Sequence, residues 1–378
     1  MHYHKLSEIR KLSLDHTSKC NLACPQCART NNNLLPIDEL TLDDYRAIIL
    51  PIVDTLEGIL YCGNFGDAVA SNTLLPALTW LYNESEFKGS VNIFTNGSLR
   101  DTSWWTELGE LIGKRGSVSF SIDGLADTNH IYRVNSNFKK IIDNATAYMN
   151  AGGIANWDYL VFKHNEEQIE EAKSFAKSLG FKNFKIKQTN RFMENVYSPD
   201  VEQGIKALET SVDPRAKKHK LEITSKEKYQ GTVKSNFSNI IDKHGSWTNY
   251  ANSCNITCKT KIEGRIFVDF EARVWACTWT AGGIYYTDTH DPQRIDTEKI
   301  FNKYGKNFNS LRHHSLEEIL NHEYYADKLC SSWTKTREDE IPKLETCVRF
   351  CGSELDTSTG WIASAAETKN KNTEVIKL

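Results

Sequence analysis

Between residues 10 and 190, short runs of β-branched and aromatic residues alternate with longer runs of helical period, and this alternation narrows the fold more than any other feature. The strand-like runs are "KLSLDHT", "GILYCGN", "SVNIFTNG", "SVSFSIDG", "NWDYLVFK" and "NFKIKQT", each closing on polar residues or glycine. Helical runs fill the gaps. "TLDDYRAIILPIVDTL" opens on Thr41 as an N-cap, with Asp43 and Asp44 in its first turn. "NEEQIEEAKSFAKSLGF" carries apolar residues at 169, 172, 175, 176 and 179, and Gly180 ends it. Six βα units in succession predict an α/β fold: a parallel sheet, curved or closed, with helices outside. Chemistry in such folds gathers at the C-terminal ends of the strands. The unusual segments fall there: a triple-cysteine loop after the first run, "CGNFGDA" after the second, "TNGS" after the third, "SIDG" after the fourth and "KQTNR" after the sixth.

A chain of 378 residues can bury one large core or two smaller ones. It has no apolar run of about 18 residues, so no membrane span is expected, and "MHYHKLSEIRKL" lacks the apolar stretch of a secretory signal. A net charge of −3 leaves no electrostatic footprint for nucleic acid, and the lysine-rich 214–229 reads as a solvated face. Ten cysteines without an export signal point to a reducing compartment, the cytoplasm, where clustered thiols bind metal or do chemistry rather than pair. They fall in two groups, one at 20–27 and one at 254–351, with Cys62 alone between them as a buried strand thiol. His313, His314, His2 and His4 read as isolated surface histidines.

In "SKCNLACPQCAR" the spacing Cys20-x3-Cys24-x2-Cys27 supplies three thiolates, not the four that close a structural zinc site. Three can hold three irons of a 4Fe–4S cube and leave the fourth open to an exchangeable ligand. In motif spacing and in its place after the first strand, the sequence resembles the radical S-adenosylmethionine (SAM) superfamily. The resemblance implies a partial (β/α)6 barrel over residues 1–190, and an open iron that chelates the methionine part of SAM. It further implies one-electron cleavage of SAM to a 5′-deoxyadenosyl radical that abstracts a hydrogen from substrate. "CGNFGDA" is similar to the glycine-rich segment that contacts the methionine amine, which implies that role for Gly63, Asn64 and Asp67, although Asp-Ala stands here for the family's Glu-Pro. "TNG" and "SIDG" imply contacts from Asn96, and from Ser121 and Asp123 to ribose or carboxylate. "IYRVNSNF" offers Arg133 as a carboxylate partner. Gln26 stands where the family often has an aromatic residue.

The second group surrounds a hairpin-like stretch, "GRIFVDFEARVWAC", in which Ala272 takes the usual turn glycine's place, and it ends in "ETCVRFCG". This resembles the twitch and SPASM extensions that carry one or two auxiliary clusters. Two fully thiolate-ligated clusters need eight cysteines and only six are present, which favours one auxiliary 4Fe–4S cluster on Cys258, Cys277, Cys347 and Cys351. Cys254 and Cys330 are alternates, zinc is the alternative metal, and Trp275, Trp279 and Trp333 are expected to pack around the group.

The expected organisation is a core at 1–190, a polar bridge at 191–253, a small α+β auxiliary-cluster domain at 254–355 and a mobile tail at 356–378. The expected function is a net oxidation, dehydrogenation or cross-linking, fed by an external flavodoxin- or ferredoxin-like electron donor. The substrate is a small molecule or a peptide. The first strand begins near residue 11, so no N-terminal leader-binding domain is expected, and a peptide maturase would work with a separate partner. Lys163, Lys185, Lys187 and Gln188 could face the cavity toward a polar or anionic substrate, strand alternation leaving their direction open. The alternative from another class is a zinc-stabilised binding protein on a barrel that has lost catalysis.

Overall fold

Each of the six strand-like runs forms a strand: β1 (Lys11–Leu14), β2 (Gly58–Tyr61), β3 (Ser90–Thr95), β4 (Gly116–Ser121), β5 (Ala155–Leu160) and β6 (Asn183–Lys187). The structure, a computed structural model, describes residues 2–25, 27, 29–30, 35–188, 221–230, 237–285, 291–354 and 373–378. Gln26, most of the bridge before 221 and the tail from 356 to 372 lie outside the described residues. The helices Leu42–Ile49, Leu74–Asn83, Thr102–Ile112, Phe138–Asn150 and Ile169–Leu179 cross between successive strands. Each neighbouring pair from β1 to β6 is parallel, and β1 and β6 do not pair, so the sheet stays open as a partial (β/α)6 barrel.

Local chemistry explains the helix ends. Thr41 Oγ1 accepts from Asp44 N while Thr41 N donates to the Asp44 carboxylate, both at 3.0 Å, a reciprocal cap. Asp101 and Asn137 cap the third and fourth helices by accepting from Trp104 N and Lys140 N, and Gly180 ends the fifth at φ +93°. Alternation along the strands sorts the two sheet faces. Leu12, Ile59, Val91, Phe120, Trp157 and Phe184 lie in the core under the helices. The opposite, lumenal face is polar: Asn183 Nδ2 donates to Asn156 Oδ1 (2.7 Å), Ser117 Oγ to Asn92 Oδ1 (2.8 Å) and the Arg265 guanidinium to Ser13 Oγ (3.0 Å).

The hairpin at 264–277 differs from expectation. β7 (Arg265–Val268) and β8 (Val274–Trp275) pair antiparallel, but β7 also lies parallel to β1, Lys11 opposite Arg265 through Leu14 opposite Val268. The stretch expected to start a separate small domain is therefore part of the barrel's own sheet. All four β7 residues are buried, and a strand buried on both faces belongs inside a sheet. Ala272 adopts φ +58°, the left-handed conformation that favours glycine.

At the other edge β9 (Thr373–Lys377) pairs antiparallel with β6, so the end of the expected mobile tail is an edge strand, with Ile376 packed on the core. The described parts of the bridge are structured as well. Residues 221–230 return to the loop after β5, and helices Phe237–His244 and Trp247–Ser253 follow. Among the described residues no helix is long and apolar enough to cross a membrane.

Candidate functional site

The loop after β1 is held at the sheet's C-terminal end by the loops after β2, β3 and β4. Asp15, directly after β1, is fully buried and accepts from Asn64 N (3.1 Å) and Phe65 N (3.2 Å). Burial pushes its carboxyl up to about 6, against these bonds. Gly66 lies where two loops cross: a Cβ there would come within 2.2 Å of the Thr17 carbonyl oxygen, so only glycine fits. Asp67 Oδ2 accepts from Thr95 Oγ1 (3.1 Å), Asn96 N (2.8 Å) and Asn96 Nδ2 (2.6 Å), and Oδ1 accepts from Val69 N (3.1 Å). Asn96 Nδ2 also reaches Asn21 Oδ1 (3.1 Å) and the Cys20 sulfur (3.8 Å). Asn21 Nδ2 donates in turn to Ser98 Oγ (2.9 Å).

Cys20, Cys24 and Cys27 pack against one apolar cluster of Leu22, Tyr132, Phe162 and Leu221. Burial pushes the Cys20 thiol up to about 12, with Asp67 and Cys24 adding to the effect. Among the described residues no three His, Cys, Asp or Glu side chains converge into a preformed metal-holding group. The donor chemistry fits a cluster nonetheless: three thiols on one loop, none in a disulfide, against an apolar cluster.

The sequence-based contacts divide into two kinds. Gly63, at φ +69°, Asn64 and Asn96 stand beside the cysteine loop. Both Asp67 oxygens are bonded within the protein, to Thr95, Asn96 and Val69, so this carboxylate ties the loops after β2 and β3 together. Asp123 and Arg133, both expected to reach SAM, satisfy each other: Nε lies 2.6 Å from Oδ2 of a fully buried Asp123, whose Oδ1 accepts from Leu160 N (2.7 Å). Burial opposes the Arg133 charge, but Asp123 outweighs it and raises the guanidinium's pKa. Ser121 lies opposite Asp158 on the lumenal face. Lys163 is drawn to Glu166 (2.5 Å) and Ser225 (3.1 Å), and Gln188 donates to the Lys228 carbonyl (2.7 Å), so both of these serve the returning chain. Lys185 and Lys187 do face the lumen, beside Asp158. Asp15, Asn21, Gly66 and Asp158 fall outside the residues that the sequence motifs mark. The signal for Asp15 was its place at a strand end, and for Gly66 the second glycine of "CGNFGDA".

Cys258, Cys277, Cys347 and Cys351 form a second neighbourhood. Cys258 and Cys351 lie in contact, and sharing a hydrogen bond lowers the Cys258 thiol while it raises that of Cys351. Burial pushes Cys277 up to about 11, and it raises Cys347 too; both feel Cys258 electrostatically. Of the alternates, Cys330 lies within electrostatic range of Cys258, whereas Cys254 faces Lys343 and Tyr250. Trp333 lies against Cys347, Trp279 stacks on Phe350 at 4.0 Å, and Trp275 donates to Asp269 Oδ2 (2.7 Å). Tyr3 donates to the Ala276 carbonyl (2.7 Å) beside Cys258 and Cys277. His4, read as a surface residue, is instead buried against Tyr3, with rings 4.4 Å apart, and burial lowers it to about 4. His313 and His314 are exposed. Cys62 is half-buried beside the aromatic cluster of Phe65, Phe267, Phe270 and Tyr285.

Cys258 precedes β7 and Cys277 follows the antiparallel β8, so this group lies at the N-terminal end of the sheet, while the triple-cysteine loop leaves its C-terminal end.

No protein-family model and no curated protein matches the chain. Solved structures to which it is similar include SuiB of Streptococcus suis, at 14% identity and a TM-score of 0.47. That match covers 76% of this chain and 65% of that one, so the chain spans under two thirds of SuiB's length. Another is anSMEcpe with bound AdoMet, at 14% identity and TM-score 0.48, covering 90% and 88%. A third is BtrN in complex with AdoMet and 2-DOIA, at 11% identity and TM-score 0.40, covering 89% and 92%. With Cys20-x3-Cys24-x2-Cys27 on the loop after β1, and "CGNFGDA", "TNG" and "SIDG" beside it at one end of an open parallel sheet, the chain resembles the radical SAM superfamily in architecture as well as in motif.

Proposed function

We propose that this protein is a radical SAM enzyme whose Cys20, Cys24 and Cys27 hold a 4Fe–4S cluster, with SAM at the barrel mouth. The observation that carries the reading is the Asp67–Asn96–Cys20 network, which fixes the triple-cysteine loop against the segments after β2 and β3. The cluster, when bound, supplies the electron for reductive SAM cleavage. The chain's own residues orient and exclude water. Asn96, held by Asp67 and Asn21, presents its amide beside the loop, and Asp15 holds the Gly63–Asn64 segment next to it by accepting from Asn64 N. Tyr132, Phe162 and Leu22 pack against the thiols and bury Cys24, an apolar backing that limits water at the mouth.

We further propose that Cys258, Cys277, Cys347 and Cys351 hold one auxiliary cluster, and that the reaction is a net two-electron oxidation of a small molecule or a peptide. Four thiolates would leave that centre no open position, which suits electron transfer rather than substrate binding. Anaerobic reconstitution tests both parts. The expected result is a brown protein with about eight irons, as two four-iron cubes require, that forms 5′-deoxyadenosine after reduction. Replacing Cys20, Cys24 and Cys27 with alanine should remove about half the iron and all SAM cleavage. A colourless protein holding stoichiometric zinc, or cleavage that survives the triple substitution, would overturn the reading.

A further inference from the structure

At the end of the sheet away from the triple-cysteine loop, a cavity of about 480 Å³ lies against the first residues of β3, β4, β5 and β6. Its rim is basic because the chain carries a cation just before three of these strands. Lys88 stands two residues before β3, Lys114 and Arg115 immediately before β4, and Lys182 immediately before β6. Of the described residues lining the cavity only Glu57 is acidic, and it faces Arg10 at 3.9 Å. Arg115 donates to the Leu111 carbonyl (3.3 Å) and lies 3.7 Å from the centroid of the Tyr82 ring, two neutral partners that leave its charge uncancelled. Lys88, Lys114 and Lys182 are exposed and make no ion pair or side-chain hydrogen bond among the described residues. Leu378, whose N–H donates to the Lys182 carbonyl (3.1 Å), packs on the core and does not line the cavity. The floor supplies donors. Asn156, only 5% exposed, accepts from Asn183 Nδ2 at its Oδ1 (2.7 Å), and Asn92 accepts from Ser117 Oγ at its Oδ1 (2.8 Å). Each amide thus uses its oxygen within the protein, while its NH2 has no partner among the described residues. A buried amide donor without an acceptor costs stability unless water or a ligand supplies one. Neighbouring strands stand about 4.8 Å apart, so the cations before β3 and β6 start about 14 Å from each other along the sheet, a row that matches negative charge spread over more than one group.

We propose that this cavity is a binding site, separate from the triple-cysteine mouth, for a small polar molecule with two or more negative oxygen groups, phosphates or carboxylates. The rim lysines and Arg115 meet the charged groups, and the Asn92 and Asn156 amides donate to an oxygen that reaches the floor. The volume is that of a small-molecule site, and a concave surface ringed by one sign of charge concentrates ions of the other. None of these residues belongs to either cysteine group, so the site stands whether or not the radical SAM reading does.

The full-length protein, titrated calorimetrically at low salt with tripolyphosphate, tricarballylate and the neutral glycerol, tests it. The expected result is saturable binding of at least one of the two anions and none of glycerol. Tripolyphosphate alone assigns a phosphate ligand, and tricarballylate alone a carboxylate ligand. Lys114→Gln combined with Lys182→Gln should weaken the anion about tenfold. Lys299→Gln combined with Lys306→Gln, which removes two exposed charges that do not line the cavity, should leave the affinity unchanged. Asn156→Asp, which puts a carboxylate on the floor in place of an amide, should abolish binding. The rim lysines are exposed and unpaired, so their substitution leaves folding intact and decides the matter even if Asn156→Asp does not fold. Failure of both anions to bind, equal heat from glycerol, or a rim pair no more damaging than the control pair would overturn the site. A folded Asn156→Asp protein that binds as the wild type does would overturn it too. Absence of SAM cleavage by the reconstituted wild type would instead overturn the functional reading and leave these titrations standing.

Discussion

Gly66 shows how much of the mouth depends on one missing methyl group. The loops after β1 and β2 cross so closely that a Cβ at this position meets the Thr17 oxygen at 2.2 Å and the Lys19 oxygen at 2.9 Å. Gly66→Ala is therefore expected to destabilise the protein by about 1–3 kcal/mol, the usual cost of forcing an overpacked contact apart, read as a lower urea midpoint. It should also loosen the cysteine loop that Asp67 and Asn96 hold. Single residues at this end of the sheet were only partly legible in the sequence. The cysteines announce themselves by spacing, and Asn64 and Asn96 by their place after strands. The Asp123–Arg133 pair could not be read, because whether two residues ten positions apart bond each other or a ligand depends on how the short helix Asn129–Tyr132 folds back. Asp158 was hidden for a similar reason. A lone carboxylate in "NWDYLVFK" acquires meaning only when β6 brings two lysines beside it.

The densest contact between segment 221–230 and the barrel is at the carboxylate of Glu166, in the connection after β5. Thr224 Oγ1, Ser225 N, Ser225 Oγ and Lys163 Nζ all donate to it within 2.5–2.6 Å, and Lys163 N donates to the Glu222 carbonyl (3.0 Å). Burial opposes the Glu166 charge, but these donors outweigh it and lower the carboxyl to about 2. A folded-state pKa below the unfolded value means stability that is present at neutral pH and is lost as pH falls from about 4.5 toward about 2. Glu166→Gln should cost about 1–3 kcal/mol at pH 7. The gap from wild type should narrow in acid, which urea melts at pH 7 and pH 3 would read. Elements of the barrel itself were well predicted, since period, caps and strand-end glycines are local. The hairpin's place was not. Its alternating apolar residues identify a strand pair, but no local pattern says that β7 will choose β1 as its second partner. The tail failed in the same way: "TEVIK" reads as a weak strand until the β6 edge is there to receive it.

Among the described residues the strands form one nine-stranded sheet running from the β8 edge to the β9 edge, and it joins stretches that the sequence divides into domains. β9 covers what would otherwise be an exposed edge on β6, the kind of surface that invites pairing between chains. A chain ending at residue 372 should melt at a lower temperature and show concentration-dependent association by light scattering, whereas the intact protein stays dispersed. The β7–β1 pairing reaches further. The two cysteine groups leave opposite ends of neighbouring strands in one ladder, so their separation includes at least the four residues of β7, about 13 Å at ~3.3 Å per residue. Hydrogen bonds along that ladder leave no hinge by which one group could swing toward the other. If both groups hold redox centres, the shared ladder fixes how far apart the two strand ends that carry them stand, so the distance between the centres is set by the scaffold rather than by a domain motion.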